Sequence, residues 1–427
     1  MALDRTVAPS IHDAVEFDFK LPAINQVALD NGIPLYWLNA GVQDVAQIDW
    51  VFPAGLWYEP RPAIAHAIAG LLKTGTTHRT AAEINEALEF YGAQLKVGAS
   101  NDYATLTLYT LTKHIPALLP VVFEILTEAT FPEKELEIYK RNSVQRLLVN
   151  LRQCEFVANQ KIDAVLFGEH HPYGRYTRKD NIESLTREDI VAHYASAYKF
   201  DGMRIFLGGN IGDTEIAQLN KVFGGVKIGV YTEPQLDFAP PPVSEHKLKF
   251  ENDPNAVQGA IRIGKLFPNR HHPDFTPMVV LNTLFGGYFG SRLMSNIREE
   301  KGFTYGIHSS LIPEIHGGSI LIQTETGVGV VDAAIEEIYK EMELLTREAP
   351  DEDELLLVKN YLLGGLLGDL DGPFSILQRW KSFILNGFDE SRFNSNINIY
   401  KTITPDDVLA LARKYYKPEE FYQVVVV

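Results

Sequence analysis

The 427-residue sequence is short of the residues on which several common chemistries depend. A single cysteine, Cys154, excludes an intrachain disulfide framework and any cysteine-based zinc site. Its setting, Leu151-Arg-Gln-Cys-Glu-Phe156, carries no nucleophile motif and reads as a small helical filler. Basic residues are outnumbered, 39 Lys and Arg against 55 Asp and Glu, for a net charge of −16. That balance leaves no electrostatic footprint for nucleic acid. No run approaches the roughly 20 apolar residues of a membrane span, and Met1-Ala-Leu-Asp-Arg-Thr-Val7 lacks the basic-then-apolar order of a leader. A soluble chain is expected, cytoplasmic by default, with the periplasm open if a leader has been removed. Disorder is also excluded, because 45% hydrophobic and 22% charged residues are ordinary globular values.

What the chain does have is more length than one core usually fills, and an internal repeat that divides it. Leu185-Thr-Arg-Glu-Asp-Ile-Val-Ala192, continued to Tyr198, aligns without gaps on Ile403-Thr-Pro-Asp-Asp-Val-Leu-Ala410, continued to Tyr416. In both copies a threonine (Thr186, Thr404) precedes acidic residues, as at a helix N-cap, and a β-rich stretch follows. A repeat at an offset of 218 residues is a duplicated domain rather than a solenoid unit. Between the copies, Pro240-Pro241-Pro242 can neither continue a helix nor sit in a central strand. The expected organisation is one domain over 1–231, a proline-rich linker over 232–246 and a second domain over 247–427. Strand-like segments at 25–30, 34–38, 46–52 and 103–111 alternate with helical stretches at 63–73, 80–90, 115–128 and 133–167. Thr80 and Glu83 have capping-box spacing. The fold class is therefore α+β, two related α/β-sandwich halves.

Two stretches carry chemistry. The first is Ala63-Ile-Ala-His66-Ala-Ile-Ala69-Gly70-Leu-Leu-Lys73-Thr-Gly-Thr76, an apolar helix with one histidine. Alone, His66 is a core or groove-facing residue, since no second ligand stands one turn on. The adjacent pairs His170-His171 and His271-His272 point about 100° apart on a helix, or to opposite faces of a strand, so neither is a metal pair. The second stretch is Leu284-Phe-Gly286-Gly287-Tyr-Phe-Gly290-Ser-Arg292-Leu293, continuing through Arg298 and Gly302 to Tyr305. Its glycines are followed by no Gly-Lys-Ser/Thr, which argues for a flexible turn before a helix over 289–299 rather than a phosphate loop.

Along nearly its whole length the chain resembles the pitrilysin/insulinase (M16) zinc peptidases, which include the mitochondrial processing peptidase and the bc1 core subunits. The resemblance implies the duplicated LuxS-like metallohydrolase fold. Active members carry His-x-x-Glu-His on the first helix, with a distal glutamate ligand on a later one. Here His66 keeps the first position, Ala69 replaces the general-base glutamate and Gly70 replaces the second histidine. The distal acidic position falls at Gln145-Arg146. The family's Asn-Ala before its substrate-pairing edge strand becomes Lys96-Val97. By contrast, the Arg and Tyr seven apart that reach substrate in active members are kept as Arg298 and Tyr305. An arginine fork could bind a carbonyl or carboxylate and a phenol could hydrogen-bond a tetrahedral intermediate. The plainer reading ends a helix at Arg298 and packs Tyr305 on a strand.

The resemblance thus implies a non-catalytic subunit with no metal of its own. Its partner would be a zinc-motif chain of the same family acting on peptide substrate, and the resemblance also implies two halves folding around a chamber that encloses unfolded peptides. A purely structural core-type subunit is the alternative from another class, and a self-sufficient peptidase with displaced ligands is the third.

Overall fold

The computed structural model describes residues 12–234, 236, 238 and 245–427. Its strands are β1 (Asn25–Ala28), β2 (Pro34–Asn39), β3 (Val45–Phe52), β4 (Gln94–Ala99), β5 (Ala104–Leu111), β6 (Arg204–Gly209), β7 (Lys247–Phe250), β8 (Gln258–Leu266), β9 (Thr304–Pro313), β10 (Gly318–Gly327) and β11 (Tyr422–Val426). They form two sheets, ordered β1-β2-β6-β3-β5-β4 and β7-β11-β8-β10-β9. Apart from β1, the orders superimpose strand for strand. In each sheet one parallel pair, β2 with β6 and β7 with β11, joins otherwise antiparallel neighbours. The weak sequence repeat is therefore a duplication of a whole topology.

Local chemistry sets the elements where it was expected to. Thr80 accepts from the Glu83 N–H and Glu83 caps back, which starts the helix Ala81–Glu89. Thr186 and Thr404 make the same reciprocal cap with Asp189 and Asp407, so the two repeat helices, Arg187–Ala197 and Pro405–Tyr415, begin identically. β5 alternates buried and half-buried residues, as a strand with one core face does.

Each half lends the other a helix. Cys154–Phe167, from the first half, buries Val157, Ala158, Ile162 and Leu166 against Ala260, Leu321, Val424 and Val426 of the second sheet. Pro373–Leu385, from the second half and at the repeat's offset, packs Ile376, Leu377 and Trp380 with Leu38, Val51 and Phe206 of the first sheet. Gly208 on β6 leaves room for Leu377, whose Cδ2 would lie 3.0 Å from a Cβ there. Lys381 Nζ reaches 2.6 Å from Oδ2 of the fully buried Asp49 on β3. The sheets are thus built from consecutive halves of the chain, but their covering helices are exchanged. The halves pack against each other through these helices.

Two expectations are corrected. The stretch 133–167 is two helices, Glu133–Asn150 and Cys154–Phe167. Neither Gly nor Pro marks the break; there Asn252 Nδ2 donates to the Leu151 carbonyl (3.1 Å). The glycine-rich run turns only in part: Thr283–Gly287 is π-helical with Gly286 packed tightly on Ser309, whereas 288–291 form the turn before the next helical run. The helix expected over 289–299 follows that turn, over 292–300. The triple proline lies outside the described residues.

Candidate functional site

The degenerate motif lies on the helix Ile64–Leu71. It starts from Ala63, which holds a left-handed φ of 84°, and from Glu59, whose Oε2 accepts the Ala65 N–H at 2.8 Å. Glu59 is buried, and burial pushes its carboxyl up to about 7 even though the Arg175 guanidinium stands 3.4 Å away. Much of that guanidinium is committed elsewhere, to the Leu56 and Glu59 carbonyls.

His66, Ala69 and Gly70 share one face of the helix, as 3.6-residue periodicity requires. His66 is open to solvent yet walled by protein, and this desolvation lowers its pKa below the ordinary imidazole value. Opposite Gly70 stands Tyr139 of the helix Glu133–Asn150, whose Cε2 would lie 2.7 Å from a Cβ at position 70. Burial raises the pKa of the Tyr139 phenol, against the opposing pull of Ser143 and then Arg146. Residues 139, 143 and 146 follow one helical face, so Arg146 belongs to this site. Gln145 points about 120° away.

Zinc does not fit here. The second-ligand position is a glycine with an aromatic ring over it, the general-base position is an alanine, and the distal position presents a cation. Among the described residues no group of three His, Cys, Asp or Glu side chains converges elsewhere.

Beside this helix runs β4, the free edge of the first sheet. Ser100 N–H bonds the Tyr103 carbonyl (2.8 Å), which fixes the phase of the β4–β5 ladder. In that phase the polar backbone groups of Leu95, Val97 and Ala99 face outward. The Leu95 carbonyl already accepts from Lys73 Nζ at 2.7 Å. A groove of about 550 Å³ lies between helix and strand, lined by Ala69, Lys73, Leu88 and Gln94. A peptide pairing with this edge would have to displace Lys73.

The second half presents a different surface. Arg298 lies in the last turn of Met294–Glu300, 4.7 Å over the Phe289 ring and 3.3 Å from Glu299. Tyr305 is 96% exposed, which corrects the reading that it packs on a strand. The ladder explains this. Thr324 pairs with Ile307 and Thr326 with Thr304, so Tyr305 and Gly306 together oppose Glu325 in a β-bulge. The Thr304 hydroxyl holds the bulge, donating to the Glu325 carbonyl (2.7 Å) and accepting from the Gly306 N–H (3.1 Å). Arg292 is engaged within the protein instead. Its fork clamps both carboxylate oxygens of Glu354 at 2.7 Å, tying the motif run to the helix Glu352–Asp369.

Sequence reasoning did not anticipate Tyr139, Glu59 or Lys73. For Tyr139 a signal was available, since it stands seven residues before Arg146 and so on the same helical face. Glu59 and Lys73 are placed by tertiary contacts that no spacing announces.

Residues 38–169 match the family described as Insulinase (Peptidase family M16), and residues 184–362 match the Peptidase M16 inactive domain. The chain belongs to the M16 family. Its relatives include an uncharacterized zinc protease, YmxG of Bacillus subtilis, 23% identical over 92% of this chain and 96% of that protein. A mitochondrial-processing peptidase subunit beta from Lentinula edodes is 22% identical over 84% of this chain and 79% of that protein. The crystal structure of a peptidase M16 inactive domain from Pseudomonas fluorescens shares the fold, with a TM-score of 0.84 at 21% identity, covering 94% of this chain and 98% of that one.

Proposed function

We propose that this M16 protein is a non-catalytic subunit that works beside a zinc-bearing chain of the same family. Its own first half hydrolyses nothing, because Ala69 offers no carboxylate to take a proton and Gly70 offers no ligand. The second half supplies Arg298 and Tyr305 to a peptide held at the partner's metal, the guanidinium gripping a carbonyl or carboxylate and the phenol donating to developing oxyanion charge.

The observation that carries this reading is the β-bulge at Tyr305. A bulge re-aims a side chain, and here it holds a large aromatic phenol almost wholly in solvent, while Arg298 on the preceding helical run is partly exposed. Two further features support it. The two family-model matches include the Peptidase M16 inactive domain over residues 184–362, the half that carries Arg298 and Tyr305. Lys73 occupies the edge strand that would otherwise take substrate in the first half.

The test is to co-express this chain with an M16 relative carrying intact His-x-x-Glu-His, and to assay an unstructured peptide with each chain alone and with both. Cleavage by the pair exceeding that of either chain supports the subunit reading. No association, or equal rates with and without this chain, counts against it.

A further inference from the structure

We propose that the cavity where the helix Phe275–Asn282 meets the helices Pro373–Leu385 and Glu390–Thr402 binds a small molecule bearing a phosphoryl group. The cavity has a volume of about 390 Å³, and Arg270, Arg379 and Arg392 all line it. A neighbouring cavity of about 690 Å³ shares Arg270, Arg379 and Phe383 with it, so the arginines stand on a common wall.

The three guanidiniums are incompletely satisfied by protein. Arg270 makes no side-chain hydrogen bond or ion pair among the described residues, and its guanidinium lies 5.6 Å from the Phe275 ring. Arg379 pairs with Asp369, yet its Nε is buried without a partner. Arg392 donates from Nη2 to the Arg270 carbonyl (2.6 Å) and, more weakly, to Thr276 Oγ1 (3.4 Å). Burial, and after it the nearness of Arg379 and Arg392, lowers the pKa of Arg270. Glu314 also acts on Arg270, and burial pushes its carboxyl up to about 7.

A cavity wall with three cations and one committed carboxylate is costly to hold empty, and in a protein of net charge −16 it is not a reflection of overall composition. A compact group with two or more negative charges offsets that repulsion. Guanidinium forks match the oxygens of phosphate two at a time, whereas a single carboxylate would leave a fork unpaired. The rest of the wall mixes the aromatic rings of Phe275, Phe383, Phe388 and Tyr400 with hydroxyl and amide side chains such as Thr276 and Asn396, suited to an organic body with polar substituents beyond the charged group. The volume is in the range of small-molecule sites.

The test uses the full chain and pyrophosphate, titrated by calorimetry at low salt, with Arg270→Gln and Arg392→Gln as variants. Arg270→Gln is the main one, because its side chain makes no hydrogen bond to lose. The expected result is saturable binding at one site per chain, weakened about tenfold or more by Arg270→Gln, with the melting temperature of the ligand-free variant unchanged or higher. Arg347→Gln, on an exposed helix pair with Glu343, should leave the affinity intact. The absence of saturable binding would overturn the proposal, as would equal weakening by Arg270→Gln and Arg347→Gln.

Discussion

The ring of Tyr139 occupies the space that a side chain at Gly70 would need, with Cε2 2.7 Å and Cδ2 3.1 Å from a Cβ built there. The ring thus covers one of the three positions, 66, 69 and 70, that share this helix face, while His66 stays open to solvent.

Gly70→His should therefore destabilise the chain, by about 1–3 kcal/mol for overpacking, set against a smaller gain in helix propensity. Tyr139→Ala in the same chain should recover part of that loss. Denaturant midpoints of the two single variants and the double variant give the comparison. Stoichiometric zinc, measured after dialysis, should appear only when Gly70→His is combined with Tyr139→Ala and Arg146→Glu.

The exchange of helices between halves rests partly on Lys381 and Asp49. Asp49 is fully buried, accepts from Gln47 Nε2 at 3.1 and 3.2 Å, and takes its cation from the other half. Lys381→Met leaves that carboxylate buried without a counter-charge, at a cost of roughly 3–5 kcal/mol. Adding Asp49→Asn should restore much of the loss. A double-mutant cycle by urea denaturation measures the coupling.

Stability should fall as pH rises from about 6.5 to 8. Burial pushes Glu59, Asp163 and Glu314 each up to about 7. Their protonated forms are favoured by folding, so the stability they contribute is present below the ordinary carboxylate value and is lost as pH rises through about 7. His193 acts in the opposite sense: burial lowers it to about 4, and its contribution is lost as pH falls from 6.5 towards 4. Melting temperatures across pH 6.5–8 should drop, and Glu314→Gln should flatten the slope.

Much of the architecture was legible because local rules and the repeat agreed. Thr80, Thr186 and Thr404 each sit before an acid three residues on, and each caps a helix as its spacing requires. The exchanged helices were not legible. Cys154–Phe167 and Pro373–Leu385 occupy equivalent places in the repeat, but their apolar residues say only that something covers them, not which sheet. In the site, the substitutions at 69 and 70 were plain from spacing, and the closure by Tyr139 was not, because it depends on how two helices cross. The exposure of Tyr305 was hidden for a similar reason. A bulge is a property of two paired strands, and the Tyr305-Gly306 pair alone gives only a faint sign of it.

The central claim, that Arg298 and Tyr305 serve a metal held by another chain, is tested most directly by kinetics of the reconstituted pair. Arg298→Ala with Tyr305→Phe should leave folding and association unchanged, because Tyr305 is almost wholly in solvent and Arg298 is partly exposed. The account predicts that kcat/KM for peptide cleavage falls by about a hundredfold or more, the scale on which oxyanion contacts act. An intact complex that cleaves at the wild-type rate would contradict it.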